Sequence, residues 1–332
     1  MSSFVYKIGV VGPTRVGKTS LITAILGQSQ ELLAGSPVAL RAEKKTQARI
    51  NEHLSELRSS LMLHEFNPGA MSGTEEPFVF ELSLKLGRSK LQFSMLDYPG
   101  AWLDPLSRPE SRERQWEECE SWINDSPVLL VPIDATVLME HSLRSEARAA
   151  LDTLQVATTE QVVRQWTKAR NERNEPGLLL FAMLKCESYF NDNGGRRNAA
   201  QELFEKTLRF YEPMLRGVEQ ESDVPGLITV EYHPIDTIGC VEIKRARWDN
   251  HSGRLEFSAD YLVRPPGEQR AVGADGVLLS LCKHLARHER NKDRTFLRKF
   301  WRWVSGEEKQ LLKTIQELDS HPFGSRVRDF NR

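Results

Sequence analysis

The chain has 332 residues, of which 39% are hydrophobic, and its 45 lysines and arginines nearly balance its 46 aspartates and glutamates, giving a net charge of -1. This balance excludes a generally basic protein, so nucleic acid is not an expected partner and any membrane contact would need a local basic patch. No run approaches the ~20 apolar residues of a membrane span and no secretion signal is evident, so we expect a cytoplasmic protein.

The first predicted elements are a buried strand and a short helix, joined by a glycine-rich turn. Residues 4–11 are apolar and β-branched, as in a strand that is covered on both faces of a parallel sheet. The helix begins at about Lys18. An insertion of about residues 36–68 follows, and its leucines lie near one side of a charged pattern, which predicts one long helix from Ser36 to about Phe66. The insertion is a candidate partner-binding arm.

Two alternating runs come next and predict an antiparallel hairpin. They begin at Pro77 and Leu91 and are separated by a tight turn, which places them together at the edge of the sheet. After a helix over residues 112–123, an apolar strand is expected from Pro127 to Asp134, and a long polar helix from about Leu138 to Arg173.

The rest of the sequence continues the alternation of strands and helices. The expected elements are a strand from Gly177 to Lys185, a helix over residues 199–215, a strand from about Leu227, an appended hairpin at about residues 241–263 and a closing helix over residues 276–288. This order predicts right-handed crossovers and an α/β fold with a doubly wound, mainly parallel sheet. We expect one domain over residues 1–290 and a C-terminal helical extension over residues 291–332.

The turn after the first strand carries a phosphate-binding motif. Residues 12–19, "GPTRVGKT", match G-x-x-x-x-G-K-[ST] between a strand and a helix, which predicts a P-loop. In such a loop, backbone N–H groups and the helix N-terminus surround phosphate oxygens. Lys18 would contact the β- and γ-phosphates, and the Thr19 hydroxyl would ligate magnesium. The predicted nucleotide-binding residues here are Gly12, Thr14, Arg15, Val16, Gly17, Lys18, Thr19 and Ser20.

A second acidic motif follows the strand that begins at Leu91. Residues 97–100 form D-x-x-G, and a parallel sheet would bring Asp97 beside the P-loop. Asp97 would hold magnesium through water, and the Gly100 amide would reach the γ-phosphate. This arrangement can sense the presence of one phosphate group.

With these motifs the chain resembles P-loop GTPases of the translation-factor-related, TRAFAC-like class. The stretch "LDYPGAWL" at residues 96–103 is similar to the DYPGEW signature of the YcjX-like stress-associated P-loop proteins. The resemblance spans roughly residues 4–240 and implies GTP or GDP as the ligand and Mg²⁺ as the cofactor. It also implies a threonine that closes over magnesium and the γ-phosphate; Thr74 takes that place, with Ser72 as the nearby alternative. The expected catalytic residues are then Lys18, Thr74 and Gly100, and the expected metal ligands are Thr19, Asp97 and Thr74.

Base recognition is the less regular part of the resemblance. GTPases of this class use N/T-K-x-D, and here the corresponding residues are Leu184, Lys185, Cys186 and Glu187. Lys185 and Glu187 fit the base-contacting places, whereas Leu184 has no polar group for the first one. After the next strand, residues 236–239 look like the loop whose backbone contacts guanine, through Thr237 and Ile238. Together the two loops favour guanine over adenine.

The sequence therefore predicts a GTP-binding and slowly GTP-hydrolysing molecular switch that regulates a partner protein. Two alternatives remain open: a pseudo-GTPase scaffold that binds nucleotide without turnover, and an ATP-dependent P-loop enzyme such as a small kinase. Turnover should be slow, near or below about 10⁻³ per second, because Ala101 and Trp102 after Gly100 cannot orient water and no arginine in cis is evident. A partner or a second copy of the chain would supply the missing group. The candidates are Arg108, Arg112 and Arg114, alternatively solvated residues at a helix start.

A basic and aromatic segment, residues 296–303, marks the C-terminal extension. It would suit a peripheral membrane or partner contact. The alternative is a helix that docks its aromatic side chains on the domain.

Overall fold

The computed structural model describes residues 5–34, 38–62, 65–68, 71, 73–86, 89–288 and 328–330. Within them the strands are β1 (Val5–Val10), β2 (Val38–Ala42), β3 (Glu65–Phe66), β4 (Phe78–Leu86), β5 (Ser89–Asp97), β6 (Val128–Asp134), β7 (Gly177–Leu184), β8 (Ile228–Pro234), β9 (Val241–His251), β10 (Arg254–Val263) and β11 (Arg328–Asp329). The helices are α1 (Lys18–Leu32), α2 (Lys44–Leu61), α3 (Glu113–Asp125), α4 (Ala135–Met139), α5 (Arg144–Thr153), α6 (Val156–Arg173), α7 (Ala200–Gln220) and α8 (Asp275–His288).

The described residues form an α/β domain around an eight-stranded sheet with the order β11-β8-β7-β6-β1-β5-β4-β2. The central strands β5, β1, β6, β7 and β8 run parallel, and every residue of β6 and β7 is buried. One hydrophobic cluster covers one face of the sheet with α3, α6 and α7, and another covers the opposite face with α1 and α8. The predicted doubly wound, mainly parallel sheet is confirmed, because apolar strands that are buried on both faces need helices on each side.

The position of the predicted hairpin in the sheet differs from the prediction. β4 and β5 form the antiparallel hairpin, with Phe78 opposite Asp97. The hairpin is not at the edge, however, because β2 pairs outside β4, with Ala42 opposite Leu82. Residues that we predicted as helical therefore provide the edge strand.

The inserted segment is consequently not one long helix. Glu43 has an extended backbone, with φ −68° and ψ 159°, and α2 begins only at Lys44. Beyond α2, Phe66 lies in β3 and pairs with Tyr261 of β10. The prediction of a helix from Ser36 to Phe66 is wrong at both ends, because the residues on either side of α2 pair as strands β2 and β3 with β4 and β10.

The predicted helix from Leu138 to Arg173 is also interrupted. It consists of α4, α5 and α6, with breaks at Glu140 (φ −92°, ψ 62°) and at Gln155, whose backbone is left-handed at φ 49°. The N–H groups of Ser142 and Leu143 donate to the Glu146 carboxylate at 2.7 and 2.9 Å, which caps a new helix at that point. Local capping thus outweighs the continuous polar pattern.

The predicted appended hairpin is present as β9 and β10, which join β3 in a separate three-stranded sheet. A third hydrophobic cluster fastens this sheet to the end of α2 through Leu57, Leu61, Phe66 and Tyr261. The inserted helix and the hairpin thus pack on each other above one end of the main sheet.

Several predictions concern residues that the structure does not describe. The expected C-terminal helix, the basic segment 296–303 and Ser72 all lie outside the described residues. Near the C-terminus, Arg328 pairs with Tyr232 and adds β11 to the main sheet. Among the described helices, none has the length and apolar character that crossing a membrane requires.

Candidate functional site

The residues predicted to bind nucleotide converge on one cleft at the carboxyl ends of the parallel strands. Several loops line it: the P-loop, the segment before β4, the turn after β5 and the two loops after β7 and β8. The predicted residues that line this cleft are Thr14, Arg15, Val16, Gly17, Lys18, Thr19, Ser20, Thr74, Gly100, Lys185, Glu187, Thr237 and Ile238. Gly12 and Asp97 contact this set from behind. Crevices of this kind are where open α/β sheets bind ligands.

Two glycines explain how the phosphate-binding loop is built. Gly17 has φ 106°, a left-handed conformation that side chains rarely adopt, and from it α1 begins with the Leu21 N–H donating to the Gly17 carbonyl. Gly100 lies directly against the loop, since an added Cβ would come within 2.2 Å of the Thr14 nitrogen. The close approach requires glycine and places the Gly100 backbone beside the P-loop.

The Lys18 ammonium is buried inside the P-loop. It donates to the carbonyls of Gly12 at 3.1 Å and Pro13 at 3.0 Å. Burial lowers the pKa of Lys18, and the Asp97 carboxylate opposes that shift. A cation held in this way is suited to an anionic ligand, which would replace the carbonyls as its partner.

Three oxygen-bearing side chains meet next to Lys18. Asp97 Oδ2 accepts from the Thr19 hydroxyl at 2.8 Å and from the Thr74 hydroxyl at 3.0 Å, and the two hydroxyl oxygens are 3.4 Å apart. Asp97 Oδ1 is buried without a hydrogen-bond partner among the described residues. One carboxylate and two hydroxyls form the hard oxygen set that magnesium prefers, so these residues fit the expected ion.

The predicted base-contacting residues hold each other in the structure. Lys185 has a left-handed backbone, its N–H donates to the Thr237 hydroxyl at 3.0 Å, and its ammonium pairs with Asp134. Glu187 Oε1 accepts from the N–H groups of Ile238 at 2.7 Å and Gly239 at 3.0 Å. The loops after β7 and β8 are therefore one hydrogen-bonded unit.

Burial and neighbouring charges shift the pKa values of Glu187 and Lys185. It raises the pKa of Glu187 to about 7, the Asp236 carboxylate adds to the rise, and the two amide hydrogen bonds oppose it. Burial lowers the pKa of Lys185, but the Asp134 carboxylate, Tyr261 and Glu187 together outweigh this effect and the net shift is upward. The unit thus combines a firmly cationic lysine with a carboxyl group that titrates near neutrality.

The structure adds residues that we did not predict from sequence. His53 of α2 places Nε2 2.9 Å from the Ser20 hydroxyl and lines the cleft, and burial lowers its pKa. Tyr261 of β10 also lines the cleft and lies 3.3 Å from the Thr136 hydroxyl. No sequence motif marks these two residues. Asp134, which pairs with Lys185, had a usable signal, since it is a carboxylate at the end of a buried strand.

The three arginines proposed to complete the site are not equivalent. Arg108 is 5% exposed, and it donates to the Trp102 carbonyl at 3.0 Å and to Glu113 at 2.9 Å. Arg112 donates to both carboxylate oxygens of Glu76. Arg114 is 91% exposed on α3 and lies 3.7 Å from Glu118. All three thus have a carboxylate partner within the chain, and the exposed pair of Arg114 is the weakest constraint.

No family model and no curated protein matches the chain, so the likeness of its DYPG stretch to YcjX-like proteins stays a prediction. Solved structures similar to it include a crystal structure of sup35 complexed with GDP, at 15% identity and a TM-score of 0.33. That match covers 71% of this chain and 38% of the other. Another is Methanosarcina barkeri Roco2 RocCORdC bound to GDP, at 11% identity and a TM-score of 0.31, covering 86% of this chain and 50% of the other. The assignment of the fold rests on the sheet order and the P-loop of this chain.

Proposed function

We propose that the protein is a cytoplasmic, magnesium-dependent GTP-binding switch that hydrolyses GTP slowly and regulates a partner protein. The observation that carries this proposal is the meeting of Thr19, Thr74 and Asp97 beside the buried Lys18. These residues come from the end of the P-loop, the segment before β4 and the end of β5. Only a ligand with several phosphates and a divalent cation would use all of them at once.

Different residues of the chain would bind the phosphates, neutralise their charge and hold the metal ion. Backbone N–H groups of the P-loop would hold phosphate oxygens, and the Lys18 ammonium would neutralise charge on the β- and γ-phosphates. Thr19, Thr74 and Asp97 would hold magnesium, which when bound neutralises charge on the same phosphates. Thr74 and Gly100 would recognise the γ-phosphate. Loss of that phosphate would release the segments that carry them, as in other two-state nucleotide switches.

Guanine is the proposed base. Lys185, Thr237 and Ile238 line one end of the cleft, where a base would lie when the phosphates occupy the P-loop. Glu187 presents a carboxylate at this end and already fixes the loop of Ile238. A carboxylate accepts from the two donors on the guanine edge, whereas adenine does not present the same pair.

Slow turnover follows from the residues after Gly100. Ala101 has no polar group, and Trp102 is buried, so neither can orient an attacking water. We propose that an activating protein, or a second copy of the chain, raises the rate. The alternatives are a scaffold that binds GTP without turnover and an ATP-dependent enzyme, and the same experiment separates all three.

The test compares GTP, ATP and their diphosphates for binding, with magnesium and with a chelator, and then follows phosphate release at several protein concentrations. Magnesium-dependent GTP binding with slow release supports the switch. Binding without release supports the scaffold, and a preference for ATP supports the enzyme. Fast phosphate release that does not depend on protein concentration would refute the expectation that the chain lacks a catalytic group. A steep rise with concentration would implicate self-association.

A further inference from the structure

Arg15 is an arginine inside the P-loop itself. It lies between Gly12 and Lys18, its backbone is left-handed at φ 61°, and its side chain is exposed. It lines the cleft that contains Lys18 and Thr74. It also lines a second cleft that shares several residues with the first. Within the described part of the chain, no hydrogen bond or ion pair engages its guanidinium.

The other arginines near the cleft are less suited to meet a phosphate. Arg108 is buried and hydrogen-bonded to Trp102 and Glu113, and the Glu76 carboxylate holds Arg112. Arg114 is exposed on α3, but it is not among the residues that line either cleft. Of these four arginines, Arg15 alone combines a place in the cleft with a guanidinium that is not engaged by the described residues.

We propose that Arg15 is a catalytic residue of GTP hydrolysis, an arginine that the chain supplies to its own site, so that the group left for a partner or a second copy to supply is the one that orients water. This inference rests on the proposed function and specifies how the transition state is stabilised. In the reaction the water oxygen forms a bond to the γ-phosphorus while the bond from that phosphorus to the β–γ bridging oxygen breaks. The electron pair of the broken bond stays on GDP, and the water proton ends on the released phosphate.

Negative charge grows on the bridging oxygen as that bond breaks. A guanidinium close to the β- and γ-phosphates stabilises this charge and remains protonated throughout. The Arg15 backbone N–H contacts the bound nucleotide in the ground state, as the other N–H groups of the loop do. The side chain contacts the phosphates only in the transition state. Removing the side chain should therefore lower the rate and leave nucleotide affinity nearly unchanged.

The backbone at Arg15 allows a clean substitution. Alanine keeps a Cβ, so Arg15→Ala carries the same left-handed strain as the parent and removes only the guanidinium and its stem. Arg15→Lys keeps a positive charge without the planar fork. Arg148→Ala is a matched control, because Arg148 is an exposed arginine on α5 outside both clefts.

The experiment measures single-turnover GTP hydrolysis by the full chain, the affinities for GTP and GDP, and capture of GDP with aluminium fluoride, an analogue of the transition state. We expect Arg15→Ala to lower the hydrolysis rate at least tenfold and to lose capture of the analogue, with both affinities within about twofold of the parent. Arg15→Lys should recover only part of the rate, and Arg148→Ala should match the parent.

The outcomes separate this inference from the function on which it rests. If the parent does not bind GTP, the proposed function fails. If the parent binds GTP and Arg15→Ala hydrolyses it at the parental rate, the role of Arg15 is overturned while the switch stands. If the parent binds GTP but neither hydrolyses it nor captures the analogue, Arg15 is not catalytic. The protein is then the scaffold that binds GTP without turnover. An equal loss of affinity and rate in Arg15→Ala would also overturn the inference, because it would show ground-state binding alone.

Discussion

The Arg112 guanidinium donates to both carboxylate oxygens of Glu76, with 3.1 Å between Nη1 and Oε2. Glu76 lies two positions after Thr74, and Arg112 lies at the end of the loop that begins at Gly100. One bidentate ion pair therefore joins the two segments that would recognise a γ-phosphate. It gives the proposed switch a direct mechanical link between its two sensing loops.

Breaking this ion pair should weaken triphosphate binding selectively. In Glu76→Gln and Arg112→Ala, we expect the affinity for a non-hydrolysable GTP analogue to fall about two- to fivefold, the modest effect typical of partly exposed pairs. GDP affinity should not change, because it does not require an ordered Thr74. Calorimetric titration of both nucleotides provides the measurement, with Arg114→Ala as the control. Equal losses for the two nucleotides would mean that the pair does not act through the γ-phosphate.

Removal of the Lys18 charge should separate binding from stability. We expect Lys18→Ala and the stem-retaining Lys18→Met to weaken GTP binding at least about 100-fold, because the ammonium makes charge-assisted contacts with the phosphates. The free protein should be no less stable. Among the described residues the buried ammonium donates to the Gly12 and Pro13 carbonyls and lies 5.5 Å from the Tyr98 ring centre, and burying its charge costs free energy. Undiminished affinity in a folded variant, shown by circular dichroism and nucleotide titration, would overturn the phosphate assignment.

Asp97→Asn should mainly alter the dependence on magnesium. The amide keeps an acceptor for the Thr19 and Thr74 hydroxyls but loses the negative charge that attracts the cation. We expect the magnesium concentration that half-saturates GTP binding to rise about 10- to 100-fold, as for other residues that hold a metal through water. The preference for triphosphate over diphosphate should shrink as well. Asp104→Asn, on a half-buried aspartate that accepts from the Ser107 hydroxyl, serves as the control. Coincident magnesium titrations of parent and Asp97→Asn would exclude Asp97 as the metal anchor.

Glu187→Ala should lower GTP affinity more than ATP affinity. The substitution removes the carboxylate at the proposed base-binding end of the cleft and leaves the Ile238 and Gly239 amides without this acceptor. We therefore also expect a loss of roughly 1–3 kcal/mol in the free energy of unfolding. Glu187→Gln keeps an acceptor oxygen and should retain more of the stability. Equal losses for GTP and ATP, or no loss, would move base recognition to other residues.

Glu187 should also make stability depend on pH. Its pKa of about 7 in the folded protein lies above the ordinary value of 4.5, so the folded state binds the proton more tightly than the unfolded chain. As the pH rises from 4.5 to 7, the parent should lose up to roughly 3 kcal/mol relative to Glu187→Gln, and above pH 7 the difference should level off. Urea unfolding at several pH values measures this. A difference that stays constant across the range would contradict the raised pKa.

Much of the fold and of the phosphate site could be predicted from sequence, because their signals are local. The P-loop is a run of adjacent residues between an apolar strand and a helix, and β4 and β5 pair with each other and are neighbours in the chain. The central strands are continuous apolar runs, which fixes their place inside a parallel sheet. Such features depend on neighbours in the chain, and sequence patterns record those neighbours directly.

The tertiary structure alone decided how the distant parts of the chain meet. β2 pairs with β4, Phe66 pairs with Tyr261, Glu76 binds Arg112 and Glu187 supports Ile238, all across long separations in sequence. No local pattern encodes these contacts, since the two partners of each one lie far apart in sequence and neither pattern specifies the other. In the inserted helix and the appended hairpin, for example, the apolar residues at the end of α2 and those of β3, β9 and β10 are buried because these elements pack on each other.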